Sequence, residues 1–289
     1  MNKYRTYLLL TFLMIILGTV AGCKYNGNSP LPLPSPPPTV EEPTPPPATT
    51  PAVENPVPSA PISGTSLSWW FTRNQQHQTP SINQEAAQLI SPNNAFYVIP
   101  NNSKKIYLTF DNGYELGYTS KILDTLNRKK VKAAFFITGQ FIQTQPDLVK
   151  RMQASGHLVC NHTWSHPDLA SISQDKFNQE VKSLEQKYFE LTGAQIAHYL
   201  RPPMGNYSPD SLKWAKEIGY SSVFWSIAFA DWDPNKQPGA AYSHKHVLDN
   251  IHPGAVILLH AVSESNTEAL EQIITDLQAQ GYVFSTFGS

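Results

Sequence analysis

The chain has 289 residues, a formal net charge of -1, two cysteines and 25 prolines. Because phosphate binding needs clustered Lys and Arg, this charge balance gives no support to a nucleic-acid-binding protein. Two cysteines are too few to form a disulfide framework.

The first 23 residues are typical of an export signal. Lys3 and Arg5 supply positive charge, and the segment Leu8 to Leu17 is apolar apart from one threonine. The run is too short for a comfortable membrane span. Cys23 follows Val-Ala-Gly, an arrangement that resembles the lipobox of bacterial lipoproteins, in which this cysteine is acylated. We predict an exported protein anchored by Cys23 to the outer face of the cytoplasmic membrane; an ordinary signal peptide or an uncleaved anchor is the alternative.

Residues 24–64 are predicted to be a disordered, proline-rich linker. They hold 14 of the 25 prolines, and such a tract favours extended polyproline II at ~3.1 Å per residue. About 30 residues then span on the order of 90 Å. The simplest role is a spacer between membrane and folded domain; a ligand for a proline-binding module is the alternative.

Residues 65–104 are predicted to lead into the catalytic domain, residues 105–289, with Trp69, Trp70 and Phe71 covering its body. From Lys105 onward, strand and helix patterns alternate. The predicted strands are Ile106–Phe110, Ala133–Thr138, His157–Cys160, His198–Leu200, Ser221–Ile227, Ala255–His260 and Tyr282–Thr286. The predicted helices are Thr119–Lys130, Asp147–Ser155, Gln174–Leu191, Pro209–Ile218, Lys245–Ile251 and Asn266–Ala279. The alternation indicates an α/β fold with a parallel sheet.

Ionisable residues follow five of these strands at their C-terminal ends. They are Asp111, His162 with His166, Arg201, Asp231 and His260. The strand ends of an open sheet spread along an edge, whereas those of a barrel converge on one mouth. Convergence favours a (β/α) barrel, and about seven strands rather than eight predict that it is distorted and incomplete. Cys160 lies in an apolar run and is expected to be a buried, unreactive thiol.

These residues carry recognisable chemistry. His162 and His166 are spaced i, i+4, and imidazole suits Zn and related metals; two such ligands leave room for a carboxylate, water or substrate. Pro167 predicts a turn or a short helical start there, not a long helix. Asp111, before Gly113, is a candidate general base, although it could also be a turn-capping residue.

A second group of candidates completes the predicted active site. His260 ends an apolar strand and can donate a proton to a leaving amine, and Asp231 could orient that imidazole and raise its pKa. Arg201, before two prolines, could grip Asp111 or a substrate carboxylate. The alternatives without a catalytic role are a surface ion pair for Arg201 and a loop cap for Asp231.

Five motifs in this order resemble the polysaccharide deacetylases with a NodB homology domain, carbohydrate esterase family 4. They are Thr-Phe-Asp-Asn-Gly, His-Thr-Trp-Ser-His-Pro, Arg-Pro-Pro-Met-Gly, Ala-Asp-Trp and Leu-Leu-His, running from about Lys105 to the C-terminus. The resemblance implies a distorted barrel and metal-dependent removal of acetyl groups from glycans. The metal would be divalent, with Zn expected and Co or Mn as alternatives.

The resemblance also implies a role for each matched residue. Asp111 becomes the general base and His260 the general acid, with Arg201 and Asp231 positioning them. His162 and His166 become metal ligands. A backbone N–H near Met204 would polarise the oxyanion, and Tyr114 and Leu258 would contact the substrate.

One departure from the family concerns the third metal ligand. Most members carry two aspartates where this chain has Asp111-Asn112, and Asn112 offers only a neutral carbonyl oxygen. The metal affinity should therefore be lower. Asp-Asn-Gly-Tyr-Glu, with the stretch 228–234, resembles the peptidoglycan N-acetylmuramic acid deacetylases that prepare muramic-δ-lactam for the spore cortex. Their substrate carries a lactyl carboxylate, for which Arg201 or a nearby Lys is the expected partner.

The sequence therefore predicts a monomeric enzyme that acts on peptidoglycan glycan strands. Deacetylation of N-acetylglucosamine or chitin-like glycans is the alternative within the same chemistry. A glycan-binding pseudoenzyme with a weakened metal site is an alternative of another class. A glycosidase is less favoured, because it needs two carboxylates at the bond and would leave the histidine pair unexplained.

Overall fold

The structure is a computed structural model that describes residues 65–74, 76–101 and 103–288. Its strands are β1 (Leu67–Ser68), β2 (Ala95–Phe96), β3 (Lys105–Asn112), β4 (Ala134–Ile137), β5 (Leu158–Asn161), β6 (Ala197–Leu200), β7 (Asn206–Tyr207), β8 (Ser221–Val223), β9 (Val256–His260) and β10 (Val283–Ser285). Its helices are α1 (Gln84–Ile90), α2 (Thr119–Lys129), α3 (Gly139–Thr144), α4 (Pro146–Ala154), α5 (Gln174–Thr192), α6 (Pro209–Glu217), α7 (Ala240–Asn250) and α8 (Glu264–Ala279). Short 3₁₀ turns cover Ser91–Asn93 and Pro203–Gly205.

The main sheet is parallel and curls into an incomplete barrel. Its order is β10-β3-β4-β5-β6-β8-β2, and β9 pairs with β3 on the edge opposite to β4. A parallel bridge between Ile227 and Ile257 links the chain after β8 to β9. The seven predicted parallel strands and the distorted barrel are therefore confirmed. Short β2 is an additional parallel strand at the edge.

Alternation along each strand divides its side chains between two apolar layers. Because successive residues point to opposite faces, Ile106, Leu108 and Phe110 face the helices, whereas Tyr107 packs inside the curl. Phe287, near the C-terminus, packs against Tyr107 and closes the lower end of the interior. Asp111 belongs to the inner set, at the open end.

Residues 65–99 pack onto the barrel as part of its body. The ring of Trp69 stacks on Phe224 with centroids 4.4 Å apart, and its indole N–H donates to the Trp225 carbonyl at 3.0 Å. Strand β1 pairs antiparallel with β7, and β2 pairs parallel with β8. The predicted covering role of the aromatic residues is confirmed for Trp69, while Trp70 is exposed.

The predicted helices are present, with shifted boundaries. The largest shift is in α7, which begins at Ala240 rather than Lys245. Helices α1 and α3 were not predicted, since they are only 7 and 6 residues long and depend on the side-chain caps Asn83 and Thr138. Within the described ranges, no helix combines the length and apolar character needed to cross a bilayer. The predicted export signal, Cys23 and linker lie outside the described residues.

Candidate active site

Asp111 and His260 face each other across two paired strands. In the β3–β9 register they are direct partners, and both belong to the inward-facing set of their strand. Asp111 is buried at 6% exposure, and His260 is half-buried at the end of β9. The pairing places a carboxylate and an imidazole side by side at the open end of the barrel.

Arg201 holds Asp111 from below. Its Nη1 donates to Asp111 Oδ1 at 2.7 Å and its Nε donates to the Val223 carbonyl at 3.2 Å. Burial alone would raise the pKa of Asp111, but Arg201, with His162 and His260, outweighs it and lowers that pKa below its ordinary value. Asp111 is therefore an ionised carboxylate near neutral pH. Arg201 is fully buried, which removes it as a partner for a substrate carboxylate.

Asp231 holds His260 through two contacts. Its Oδ1 lies 2.6 Å from Nδ1 of the imidazole, and its Oδ2 accepts the His260 backbone N–H at 2.9 Å. Asn266 donates a further hydrogen bond to Oδ2. Burial disfavours a positive charge on His260, yet Asp231 outweighs it and raises the pKa of the ring. This geometry orients Nε2 toward the cleft and keeps a proton available.

His162 and His166 come together on the loop after β5. Their ring centroids are 4.8 Å apart. Nδ1 of His162 lies 2.8 Å from the Arg201 carbonyl, which can only accept, so Nδ1 carries the proton and Nε2 keeps its lone pair. Burial, partly offset by Asp111, lowers the pKa of His162 to about 4. The ring is thus neutral, as a metal ligand must be.

The loop that carries both histidines is a strained turn, as Pro167 predicts. Thr163 and His166 have left-handed φ values of 67° and 58°. Gly139 donates its N–H to the Trp164 carbonyl at 3.0 Å, and a Cβ at this glycine would lie 2.5 Å from Trp164. The loop therefore depends on a glycine at the start of α3.

Glu180 anchors the same loop from α5. Its carboxylate accepts the backbone N–H and the hydroxyl of Ser165, both at 2.7 Å, and pairs with Lys176 at 2.9 Å. Glu180 is 1% exposed. The Glu180 carboxylate bonds to neither of the two histidines, but it fixes Ser165, the residue before His166.

Asn112 lies next to Asp111 and is fully buried. Its amide N–H donates to Thr119 Oγ1 at 3.2 Å, and Glu115 accepts from the Thr119 hydroxyl. The amide oxygen Oδ1 has no hydrogen-bond partner within the described residues. In those same residues no three His, Cys, Asp or Glu side chains form a metal-binding group. Asn112 therefore offers a neutral oxygen where a second aspartate would offer a carboxylate, and the carboxylate that lies near the histidine pair is that of Asp111, whose Oδ2 is 3.5 Å from Nε2 of His162.

Asp111, His162, His166 and His260 line one cleft of about 1150 Å³. Its walls are largely aromatic, with Trp69, Trp70, Phe71, Tyr114, Trp164, Trp225, Phe229 and Trp232. Leu258 lies in its wall, and Met204 projects at its rim with a left-handed φ of 58°. The predicted substrate contacts Tyr114, Met204 and Leu258 thus border the same space as Asp111 and His260. Cys160 lies beneath it, fully buried, and burial raises the pKa of its thiol.

Three functional contributions escape the sequence motifs. Arg73 and Phe71 reach the cleft from the lead-in, and Glu180 supports the histidine loop from α5. A single arginine after Trp-Trp-Phe belongs to no recognisable motif, so the sequence does not indicate a role for it. A glutamate in an amphipathic helix is expected to face solvent, so Glu180 was not a candidate either. Their contacts join residues distant along the chain, as with Arg73 and Ala228, 155 positions apart.

Comparison with known proteins places this geometry in a family. The sequence profile described as polysaccharide deacetylase matches residues 99–223. The chain is 46% identical over 225 residues to the peptidoglycan-N-acetylmuramic acid deacetylase PdaA of Bacillus subtilis, covering 78% of this chain and 86% of that protein. It is 37% identical over 194 residues to a peptidoglycan-N-acetylglucosamine deacetylase of Bacillus cereus, covering 66% of this chain and 69% of that protein.

A solved structure agrees with these sequence relatives. The structure of Bacillus subtilis PdaA, described as a family 4 carbohydrate esterase, superposes with a TM-score of 0.76 at 45% identity, covering 78% of this chain and 96% of that one. Similarity at this level of identity and coverage, together with the five motifs and their convergence on one cleft, shows that the chain belongs to the polysaccharide deacetylases of carbohydrate esterase family 4.

Proposed function

We propose that this protein hydrolyses the N-acetyl amide of a cell-wall glycan, and that its substrate is N-acetylmuramic acid in peptidoglycan. The observation that carries the proposal is the Asp111–His260 pair. The two side chains are register partners, and their surroundings shift their pKa values in opposite directions. An ionised carboxylate beside an imidazole whose pKa is raised supplies the proton acceptor and the proton donor that hydrolysis of an amide needs.

The chemical steps follow from these protonation states. Asp111 takes a proton from the water that attacks the acetyl carbonyl. His260 then gives its proton to the departing nitrogen as the carbon–nitrogen bond breaks, and acetate and a free amine result. Arg201 keeps Asp111 ionised, and Asp231 holds His260 in one tautomer. The backbone N–H of Met204 is the candidate to stabilise the oxyanion, since the N–H of Gly205 already donates to the Pro202 carbonyl at 3.0 Å.

The residues beside this pair fit a divalent metal. His162 presents a neutral ring whose Nε2 keeps its lone pair and lies 3.5 Å from Asp111 Oδ2, and His166 lies beside it. Asn112 has a buried amide oxygen without a partner among the described residues. A bound metal would act as a Lewis acid on the acetyl carbonyl and lower the pKa of the attacking water. Imidazole donors favour Zn, with Co or Mn as alternatives. A neutral third donor gives a weaker site than a carboxylate would.

The choice of muramic acid has two supports. The relative named for N-acetylmuramic acid is 46% identical, whereas the relative named for N-acetylglucosamine is 37% identical. The Asp111-Asn112-Gly113 sequence also resembles the muramic acid subgroup. We further propose that the protein is exported, monomeric and anchored through lipidated Cys23. Labelling with a fatty acid, compared between the natural chain and Cys23→Ala, tests the anchor.

Acetate release from defined glycan strands tests the function. Peptidoglycan strands are digested with the protein with and without chelator, beside Asp111→Asn, and mass spectrometry locates each lost acetyl group. Loss from muramic residues supports the proposal. Loss of acetyl groups from glucosamine residues alone would show that the substrate is N-acetylglucosamine instead. No release with added Zn, Co or Mn would leave a glycan-binding protein, the reading that Asn112 favours.

A further inference from the structure

The cleft contains one exposed basic side chain that the acid–base chemistry does not use. Among its described lining residues, Arg73 is the single Lys or Arg. Arg201 lies beneath the cleft and is fully buried against Asp111. The expectation that Arg201 or a nearby Lys binds a substrate carboxylate is therefore wrong, because the first is inaccessible and the second is absent from this lining.

Arg73 is held by a backbone carbonyl in the wall of the cleft. Its Nη2 donates to the Ala228 carbonyl at 2.7 Å, and its guanidinium lies 5.9 Å from the Phe71 ring centroid. No carboxylate in the described part of the chain forms an ion pair with it, whereas Arg128, Arg151 and Arg201 each have one. A guanidinium has five N–H donors in a planar fork, so one bond to Ala228 leaves others for a ligand.

Arg73 borders the same cleft as the reacting residues. Its partner Ala228 follows Ile227, whose carbonyl accepts the N–H of Leu258 at 2.9 Å. Leu258 and His260, two residues further along the same strand, line this cleft together with Arg73 and Asp111. A sugar whose acetyl group reaches Asp111 and His260 therefore occupies the space that Arg73 borders, where an anionic substituent on that sugar can meet the guanidinium.

We infer that Arg73 binds a carboxylate on the sugar that loses its acetyl group, and so selects muramic residues whose lactyl group is a free acid. The inference rests on the proposed function. Muramic acid differs from glucosamine by this lactyl ether. In strands that keep their stem peptides the lactyl carboxyl is an amide without charge. A planar guanidinium pairs with the carboxylate in a bidentate manner and gains much less from the amide.

Two versions of one substrate test the inference. Peptide-free glycan strands are compared with the same strands after conversion of the lactyl carboxyl to a methyl amide, and acetate release gives KM and kcat. For Arg73→Gln we expect KM on the free acid to rise about tenfold, with kcat within about twofold. On the amide we expect no change. Arg73→Lys keeps the charge without the planar fork of donors, so its KM on the free acid should lie between those of the natural protein and Arg73→Gln.

Arg128→Gln is the matched control, since this exposed arginine on α2 pairs with Glu271 and does not line the cleft. It should match the natural protein on both substrates. Thermal unfolding of each variant shows that the fold persists, and Arg73→Lys keeps the test decisive if Arg73→Gln does not fold. An Arg73→Gln variant that is unaffected on the free acid, or equally impaired on both substrates, overturns the inference.

The test separates this inference from the proposed function. If the natural protein releases no acetate from either strand, the proposed function fails. Binding of the two strands is then measured by calorimetry. If the natural protein binds the free-acid strand more tightly than the amide strand, and Arg73→Gln does not, the result still supports the role of Arg73. Equal binding of both strands by the natural protein overturns it.

Discussion

At the scale of single residues, Asp111 combines chemistry with structural support. It is the ion-pair partner of Arg201, the largest fully buried side chain in the described part of the molecule. Its carboxylate neutralises a guanidinium that also lies 4.1 Å from the Phe136 ring centroid. A substitution at Asp111 therefore acts on the reaction and on the fold at once.

For Asp111→Asn we expect acetate release to fall by about 10²–10⁴-fold, because no group remains to accept the proton. The free energy of unfolding should fall by about 3–5 kcal/mol, since Arg201 keeps a buried charge without a partner. Urea unfolding and acetate release measure the two effects. His260→Gln should lose activity without comparable destabilisation, because its side chain is half-buried; equal stability losses in both variants would contradict this account.

The pH profile should report on Asp231. His260 must be protonated to donate, so activity is present below its pKa and declines above it. Asp231 raises that pKa, which places the alkaline limb of kcat/KM at higher pH than an isolated imidazole would. For Asp231→Asn we therefore expect the alkaline limb to move to lower pH. An unchanged limb would show that another group donates the proton.

At the scale of elements, the histidine loop depends on two neighbours that carry no chemistry. Helix α3 supplies Gly139, and α5 supplies Glu180, whose carboxylate fixes Ser165 beside His166. Burial alone would raise the pKa of Glu180, but its contacts with Ser165 and Lys176 outweigh burial and lower it. The Glu180 carboxylate is thus charged, and it binds the histidine loop through Ser165.

Glu180→Gln should weaken metal binding without touching a ligand. The glutamine cannot accept both Ser165 hydrogen bonds with two equivalent oxygens, so we expect about a tenfold loss of apparent metal affinity, at the low end of the range for supporting residues. Titration of metal-free protein with Zn measures it, and excess metal should restore activity. Glu190→Gln, exposed on the same helix, is the control. Loss of activity that metal does not restore would point to misfolding instead.

At the scale of the whole molecule, residues 65–99 add an edge strand to the incomplete barrel and form part of the cleft wall. Trp69 is 7% exposed and packs with Ile90, Tyr207 and Phe224, while neighbouring Trp70 is 53% exposed. The folded body therefore begins before Lys105, the boundary that the motifs indicate. The lead-in contributes both apolar packing and side chains that line the cleft.

Trp69→Ala should lower the free energy of unfolding by about 3–5 kcal/mol, the cost of a large buried aromatic. Trp70→Ala should leave it within about 0.5 kcal/mol and raise KM for glycan strands. Removal of residues 1–64 should leave acetate release intact in vitro, because all of the cleft-lining residues that the structure describes follow Ser68. Thermal unfolding and kinetics distinguish these changes, and equal destabilisation by both tryptophan variants would refute the packing argument.

Acid stability is a second property of the whole molecule. Burial lowers the pKa of His157 to about 4, and its Nδ1 accepts the Ala133 N–H at 3.2 Å. The unfolded chain takes up this proton near pH 6.5 and the folded protein near pH 4, so stability falls as the pH falls between these values. His157→Asn should flatten that decline by up to about 3 kcal/mol. His198→Gln, at an exposed site, should leave urea unfolding between pH 7 and 4.5 unchanged; an unaltered slope in His157→Asn would refute the assignment.

The sequence alone determined much of this protein. Short β-rich runs that alternate with helical patterns predicted seven of the eight strands of the main sheet and six of the eight helices in the described residues. Polar residues at the strand ends predicted the convergence of Asp111, His162, Arg201 and His260. These inferences succeed because parallel strands carry their C-terminal ends to one mouth, whatever the details of packing.

Only the tertiary structure decided which partner each of these residues has. It buries Arg201 against Asp111, leaves the Asn112 oxygen without a partner in the part of the chain that the structure describes, and brings Arg73 across 155 positions to Ala228. The short helices α1 and α3 likewise depend on caps and neighbours more than on periodicity. Local patterns fix which face of a strand a residue occupies, but pairing between distant side chains depends on how the layers pack and on which charges they exclude from water.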